Sequence, residues 1–154
     1  YGWIQFAFTT ARYRAQPPGA HGMEPVVLRG TFAMREGLMV GPPLQLEGPT
    51  LWNDIGWPHY SGAMTYHAAF SLPEVSAGRL LLVCDEVCET MEVRLNGALA
   101  GLRLWPPYRL DLTPHARAGE NHLSITVTNT LSNLLTRPLP SGLGPGVRIL
   151  VIAE

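Results

Sequence analysis

Lysine is missing from this chain: all eleven basic residues among its 154 are arginine. Every cation is therefore a planar guanidinium that can give paired hydrogen bonds to an anion. Twelve acids balance them to a net charge of −1. That gives no reason to expect DNA or RNA as a partner, since phosphate binding needs a concentrated positive surface. No apolar run nears the ~20 residues that cross a bilayer, so no membrane span is expected. No basic and apolar leader opens the chain. It starts at Tyr1 rather than Met, which reads as a piece of a longer protein.

Cysteine is scarce as well, with Cys84 and Cys88 only. Extended backbone between them would exceed the ~7 Å Cα limit of a disulfide, although a bend would permit one. Two thiols cannot complete a structural zinc site. Free, partly buried thiols are the expectation, and they leave the redox compartment open. Helical periodicity is also missing, with enough for one turn at Leu131 to Leu135. His21, His59, His67, His115 and His122 lack metal-site spacing. No Ser/His/Asp order stands out, and no glycine loop follows a strand to cradle phosphate.

What remains is a chain of short strands. A hydrophobic content of 46% excludes disorder, and the length suits one domain over residues 1–154. Residues 1–25 are its least regular part. Fourteen Pro and sixteen Gly supply the turns. Alternation predicts an opening strand through Trp3, Ile4, Phe6 and Phe8, after which residues 15–25 form a loop. Val26 to Met34 reads as a strand interrupted at Gly30. Leu38 to Leu46 reads as an edge because of Pro42 and Pro43, and 47–62 as a long loop. Inward positions then recur at Tyr66, Ala68, Phe70 and Leu72, at Met91, Val93 and Leu95, at Tyr108, Leu110 and Leu112, and at Leu123, Ile125 and Val127. Leu80 to Val83 reads as a strand covered on both sides. Val147 to Ile152 closes the chain. Asn96-Gly97 is the strongest hairpin signal, because both turn positions need positive φ. The fold class expected is all-β, an antiparallel sandwich.

Several phrases recur in a known order. They are Val27-Leu28-Arg29-Gly30-Thr31-Phe32, Trp52 with Gly56-Trp57-Pro58-His59-Tyr60-Ser61-Gly62, and Phe70-Ser71-Leu72-Pro73. Glu92-Val93-Arg94-Leu95-Asn96-Gly97, Trp105-Pro106-Pro107-Tyr108-Arg109-Leu110-Asp111-Leu112-Thr113, Gly119-Glu120-Asn121 and Val127-Thr128-Asn129-Thr130 follow, then Gly142-Leu143-Gly144-Pro145. In that order the chain resembles the galactose-binding-like jelly-roll domains of bacterial glycoside hydrolases, of the α-L-rhamnosidase and β-galactosidase or β-glucuronidase types. The resemblance implies a non-catalytic carbohydrate-binding module beside a catalytic domain of the same chain, in an extracellular or periplasmic enzyme. Its alternative is a structural brace that binds no sugar. Cys84 and Cys88 depart from the usual pattern.

Sugar recognition wants an aromatic platform with polar groups at its rim. The 52–60 loop offers Trp52, Asn53, Asp54, Trp57, His59 and Tyr60, whose bulk could equally plug the end of a sandwich. Trp105 and Arg109 are further candidates for ligand binding, weighed against packing and solvation. Asn129 is placed by the resemblance near a substrate held mostly by another domain; its alternative is to satisfy backbone at a strand exit. No catalytic residue is expected, since the acids lack the paired arrangement that glycoside hydrolysis needs. No cofactor is expected, although Asp85, Glu86 and Glu89 share one turn that could hold a structural Ca²⁺.

Overall fold

A computed structural model describes residues 2–5, 27–30, 33–35, 38–41, 48–73, 78–135 and 137–153, with side chains for 48–73, 78–135 and 137–152. The 15–25 loop, Phe6, Phe8, His21, Pro42 and Pro43 lie outside the described residues. The opening strand is β1 (Gly2–Gln5), paired antiparallel with β2 (Val27–Gly30). The strand expected from Val26 to Met34 is divided: β2 ends at Gly30 and β3 (Ala33–Arg35) pairs instead with β4 (Leu38–Gly41).

The remaining chain forms two facing sheets. Six strands lead into them: β5 (Ala63–Leu72), β6 (Gly78–Cys84), β7 (Val87–Cys88), β8 (Thr90–Leu95), β9 (Ala98–Arg103) and β10 (Arg109–Asp111). A 3-10 turn (Thr113–His115), β11 (Gly119–Thr128), the single helical turn α1 (Ser132–Leu135), β12 (Gly142–Leu143) and β13 (Val147–Ala153) complete the order. The larger sheet runs β5-β11-β8-β9 and the smaller β10-β6-β13, all antiparallel, with β12 paired to β7.

Period-two alternation explains why these segments stack. On β8, Met91, Val93 and Leu95 are buried, as are Leu123, Ile125 and Val127 on β11. Leu80, Leu82 and Cys84 of β6, with Tyr108, Leu110 and Leu112, meet them from the second sheet in one core. Val83 is buried on the other face of β6, matching its continuous apolar run. At the β9/β10 edge, Leu110 packs onto the bare backbone of Gly101.

The Asn96-Gly97 turn joins β8 to β9 with φ of 53° and 84°. Asn96 does more than turn the chain. Its amide donates to the His115 carbonyl and to Asn121 Oδ1, each at 2.9 Å, while its own oxygen accepts from the His122 N–H at 3.0 Å. Asn121, fully buried, also accepts from the Arg117 N–H and donates to the carbonyls of Arg117 and Gly119. These bonds fasten the end of the sandwich where the chain enters β11.

Gly142 at φ 103° faces Trp52, and a Cβ there would stand 2.6 Å from the indole. Gly97 has a similar φ of 84° but open space around it. Gly97→Ala should therefore cost about 1 kcal/mol from backbone strain alone. Gly142→Ala should cost at least ~2 kcal/mol more, because overpacking adds to the strain. Urea unfolding of the two variants checks that order; equal losses would mean the indole moves aside freely.

Candidate functional site

Strand register gathers the candidate residues at one end of the sandwich. Met64, Val127, Met91 and Arg103 form a row across the larger sheet. Just beyond this row lie Tyr60 before β5, Asn129 after β11, Glu89 before β8 and Trp105 after β9. β5 and β9 are opposite edges, three strand spacings or about 14 Å apart. Arg109 opens β10, whose preceding Tyr108 hydroxyl donates to the Glu89 carbonyl at the same end.

Trp52 is fully buried and offers no ring face to a sugar. Its indole N–H donates to the Tyr66 hydroxyl at 2.7 Å, and Tyr60 meets it edge-on with centroids 5.1 Å apart. Trp57 is half-buried and packs edge-on against Tyr60 at 5.6 Å. The Tyr60 hydroxyl donates to the Ala63 carbonyl at 2.7 Å, and burial raises its pKa. Asn53 accepts the Ser141 N–H at 3.0 Å, while a His59 ring nitrogen lies 3.2 Å from the Asn133 carbonyl. Asp54 alone in this loop is exposed. The cluster that composition suggested is thus a cross-braced plug.

Asn129 belongs to the same plug. Its amide donates to the Tyr60 carbonyl at 2.7 Å and to Ser141 Oγ at 3.1 Å, and its oxygen accepts the Gly62 N–H at 2.9 Å. Beside it, Asn133 reaches the Pro58 carbonyl, the Leu139 carbonyl and Ser141 Oγ at 2.8–3.0 Å. Asn133 and Ser141 are buried, and among the described residues no buried polar side-chain atom lacks a partner. Ser141 carried no separate signal in the sequence, because a serine in a Pro/Gly-rich connection looks like any other. The pairing with Asn53, 88 positions earlier, exists only in the fold.

Trp105 behaves oppositely. It is 69% exposed and borders a surface cavity of about 570 Å³ lined also by Leu102, Arg103, Leu104, Pro106, Pro107 and Arg109. Arg103 donates from Nε to the Arg109 carbonyl and from Nη1 to the Leu102 carbonyl, both at 3.0 Å. Sequence reasoning singled out Trp105 and Arg109 but not Arg103, whose turn toward this loop follows from the bulge at Ala100 in the β8/β9 register.

The turn proposed for calcium does not assemble. Asp85 is paired with Arg148 at 2.7 Å, and Glu86 packs against Gly144. Among the described residues no group of three or more His, Cys, Asp or Glu could hold a metal ion. Both thiols are free, as expected. Burial, with Asp85 adding, pushes the Cys84 thiol up to about 11.

Cys84 therefore stays protonated in the fold after it would ionise in the open chain. Between its ordinary value of 9.0 and about 11, the unfolded chain holds fewer protons, so stability falls as pH rises. Below pH 9 this contribution is complete. The urea midpoint should drop from pH 8 to pH 10, and Cys84→Val should drop less steeply. Trp52→Phe, which removes the bond to Tyr66 and leaves a gap, should lower stability by about 1–3 kcal/mol at pH 7. A neutral result would show the indole N–H contributes nothing.

No protein-family model matches the chain. It is 30% identical over 120 residues to a putative β-glucuronidase of Formosa agariphila, covering 73% of this chain and 10% of that protein. Among solved structures it resembles the rhamnosidase from Novosphingobium sp. PP1Y, with TM-score 0.55, 26% identity, and 79% and 14% of the two chains covered. A glycosyl hydrolase family 2 member from Bacteroides cellulosilyticus shares the fold, with TM-score 0.55 and 15% identity, over 99% of this chain and 20% of that one. The chain spans about a tenth to a fifth of the length of these relatives. It is a mostly antiparallel β domain that matches a small part of glycoside hydrolases, family 2 among them.

Proposed function

We propose that this chain is a non-catalytic ancillary domain of a glycoside hydrolase of the family 2 type. In this reading it is a galactose-binding-like jelly roll that holds a rigid loop end against a catalytic domain of the same protein. The observation that carries the proposal is the inward commitment of Trp52, Tyr60, Asn129 and Asn133, whose polar atoms all bond within the domain. Relatives named as a β-glucuronidase and a rhamnosidase, both several times longer, support the context.

Catalysis by the domain itself is disfavoured by the placement of its acids. Two carboxylates must flank one cleft for glycoside hydrolysis. Here the Trp105 cavity is lined by no Asp or Glu. Asp85, Asp111, Glu92 and Glu120 are each engaged with Arg148, Arg79, Arg94 and His122 on the surface. A second reading, carbohydrate recognition by this domain, is favoured by the open indole of Trp105 beside Arg109.

The 154-residue chain alone should release no nitrophenol from aryl β-glucuronide or aryl α-rhamnoside, and measurable release would refute the non-catalytic assignment. Expressed with its surrounding coding sequence, the catalytic domain should melt several degrees lower when this domain is deleted. An unchanged melting point would remove the bracing role.

A further inference from the structure

We propose that the cavity beside Trp105 binds a sugar unit carrying an anionic group, with a uronic-acid residue as the type. The inference rests on the second reading above and names the ligand class for that site. Trp105 supplies the platform: an indole left two-thirds bare presents its π-face to the weakly polar C–H side of a pyranose ring. Pro106 and Pro107 follow it directly and restrict the backbone that carries it. Leu102 and Leu104, both about half exposed, extend the apolar wall. The volume of about 570 Å³ lies in the ordinary range of small-ligand sites.

Charge selects among sugars. Two arginines, Arg103 and Arg109, line the cavity and no Asp or Glu does. Among the described residues, the Arg109 guanidinium makes no hydrogen bond and no ion pair, whereas Arg79, Arg94 and Arg148 each hold an acid. Arg103 is fixed by two backbone carbonyls through Nε and Nη1, which leaves Nη2 unused. The site therefore presents one anchored cation and one free guanidinium fork beside a stacking surface. A fork of that shape matches a carboxylate or sulfate in two parallel bonds. Neutral sugars would leave both charges without a counterpart.

The test is isothermal titration of the full 154-residue chain with three tetrasaccharides, one of glucuronic acid, one sulfated galactan and one neutral cellotetraose. An acidic tetrasaccharide should bind at least about tenfold more tightly than the neutral one, and less tightly at 0.5 M NaCl than at 0.05 M. The uronic and sulfated arms identify which anion the fork prefers. Trp105→Ala should abolish binding, and Arg109→Gln should weaken the acidic ligand about tenfold while leaving the melting point unchanged, since both side chains are exposed. Equal affinity for the neutral sugar, lost in Trp105→Ala, overturns the anionic assignment but keeps sugar recognition. Acidic binding that survives both substitutions lies elsewhere and overturns the site. No binding to any of the three removes both this inference and the second reading, and leaves the bracing role to its own melting test.

Discussion

A buried indole N–H has to find an acceptor, and this requirement organises the loop end of the domain. Trp52 finds one in the hydroxyl of Tyr66, which projects inward from β5. That hydroxyl also donates to the Thr50 carbonyl and accepts the Leu143 N–H, each at 3.2 Å. One donor and two lone pairs are thereby all used. A single phenol thus ties the incoming loop, the first strand of the larger sheet and β12 together. Removing it would leave two buried N–H groups without partners, each costing about 1–3 kcal/mol. Burial holds the phenol in its neutral, donating form by raising its pKa.

Loops that close a sandwich cannot use ladder hydrogen bonds, so their backbone groups need side chains. This domain uses asparagine at both ends. Asn96 and Asn121 bind the carbonyls and N–H groups around His115, Arg117 and His122. Asn129 and Asn133 do the same for Pro58, Tyr60, Gly62 and Leu139. An amide both donates and accepts from one short side chain, which suits it to bridging two irregular segments. The result is an irregular end whose backbone groups are satisfied by side-chain amides rather than by a ladder.

The strands β5, β8, β10 and β11 were legible from the period-two code that a half-buried sheet requires, and β6 and β13 from their apolar runs, whereas the two-residue β7 and β12 and the bulged β9 carry neither pattern. Tyr66, Met91, Val93, Leu110, Leu123 and Val127 all face the side that alternation assigned. The hairpin at Asn96-Gly97 was legible because its φ values admit few residues. The division at Gly30 into β2 and β3 was half legible: the glycine marked the break but not the change of partner. The site was harder to read. Trp52, Asn53, Asn129 and Asp54 share the polar and aromatic character of a sugar-binding rim, and local sequence says nothing about which way a loop folds. Ser141 and Arg103 depend on contacts 88 and six positions away, so their roles arise only when the strands are in place.

Trp52 and Trp105 are the same residue in loops at one end of one domain, yet they have opposite surroundings. Trp52 precedes β5 on the side where the 141–143 segment crosses over it, so backbone is available to cover its ring and to accept its main-chain N–H at the Ser141 carbonyl. Trp105 follows β9, the last strand of its sheet, where the chain leaves for β10 and nothing among the described residues lies across the indole. Leu99, Leu102 and Leu104 are exposed on the same strand and its exit. Apolar surface is thus concentrated at this edge of the sheet, beside Arg103 and Arg109. Position in the sheet order, rather than residue type, decides which tryptophan closes the fold and which is left exposed.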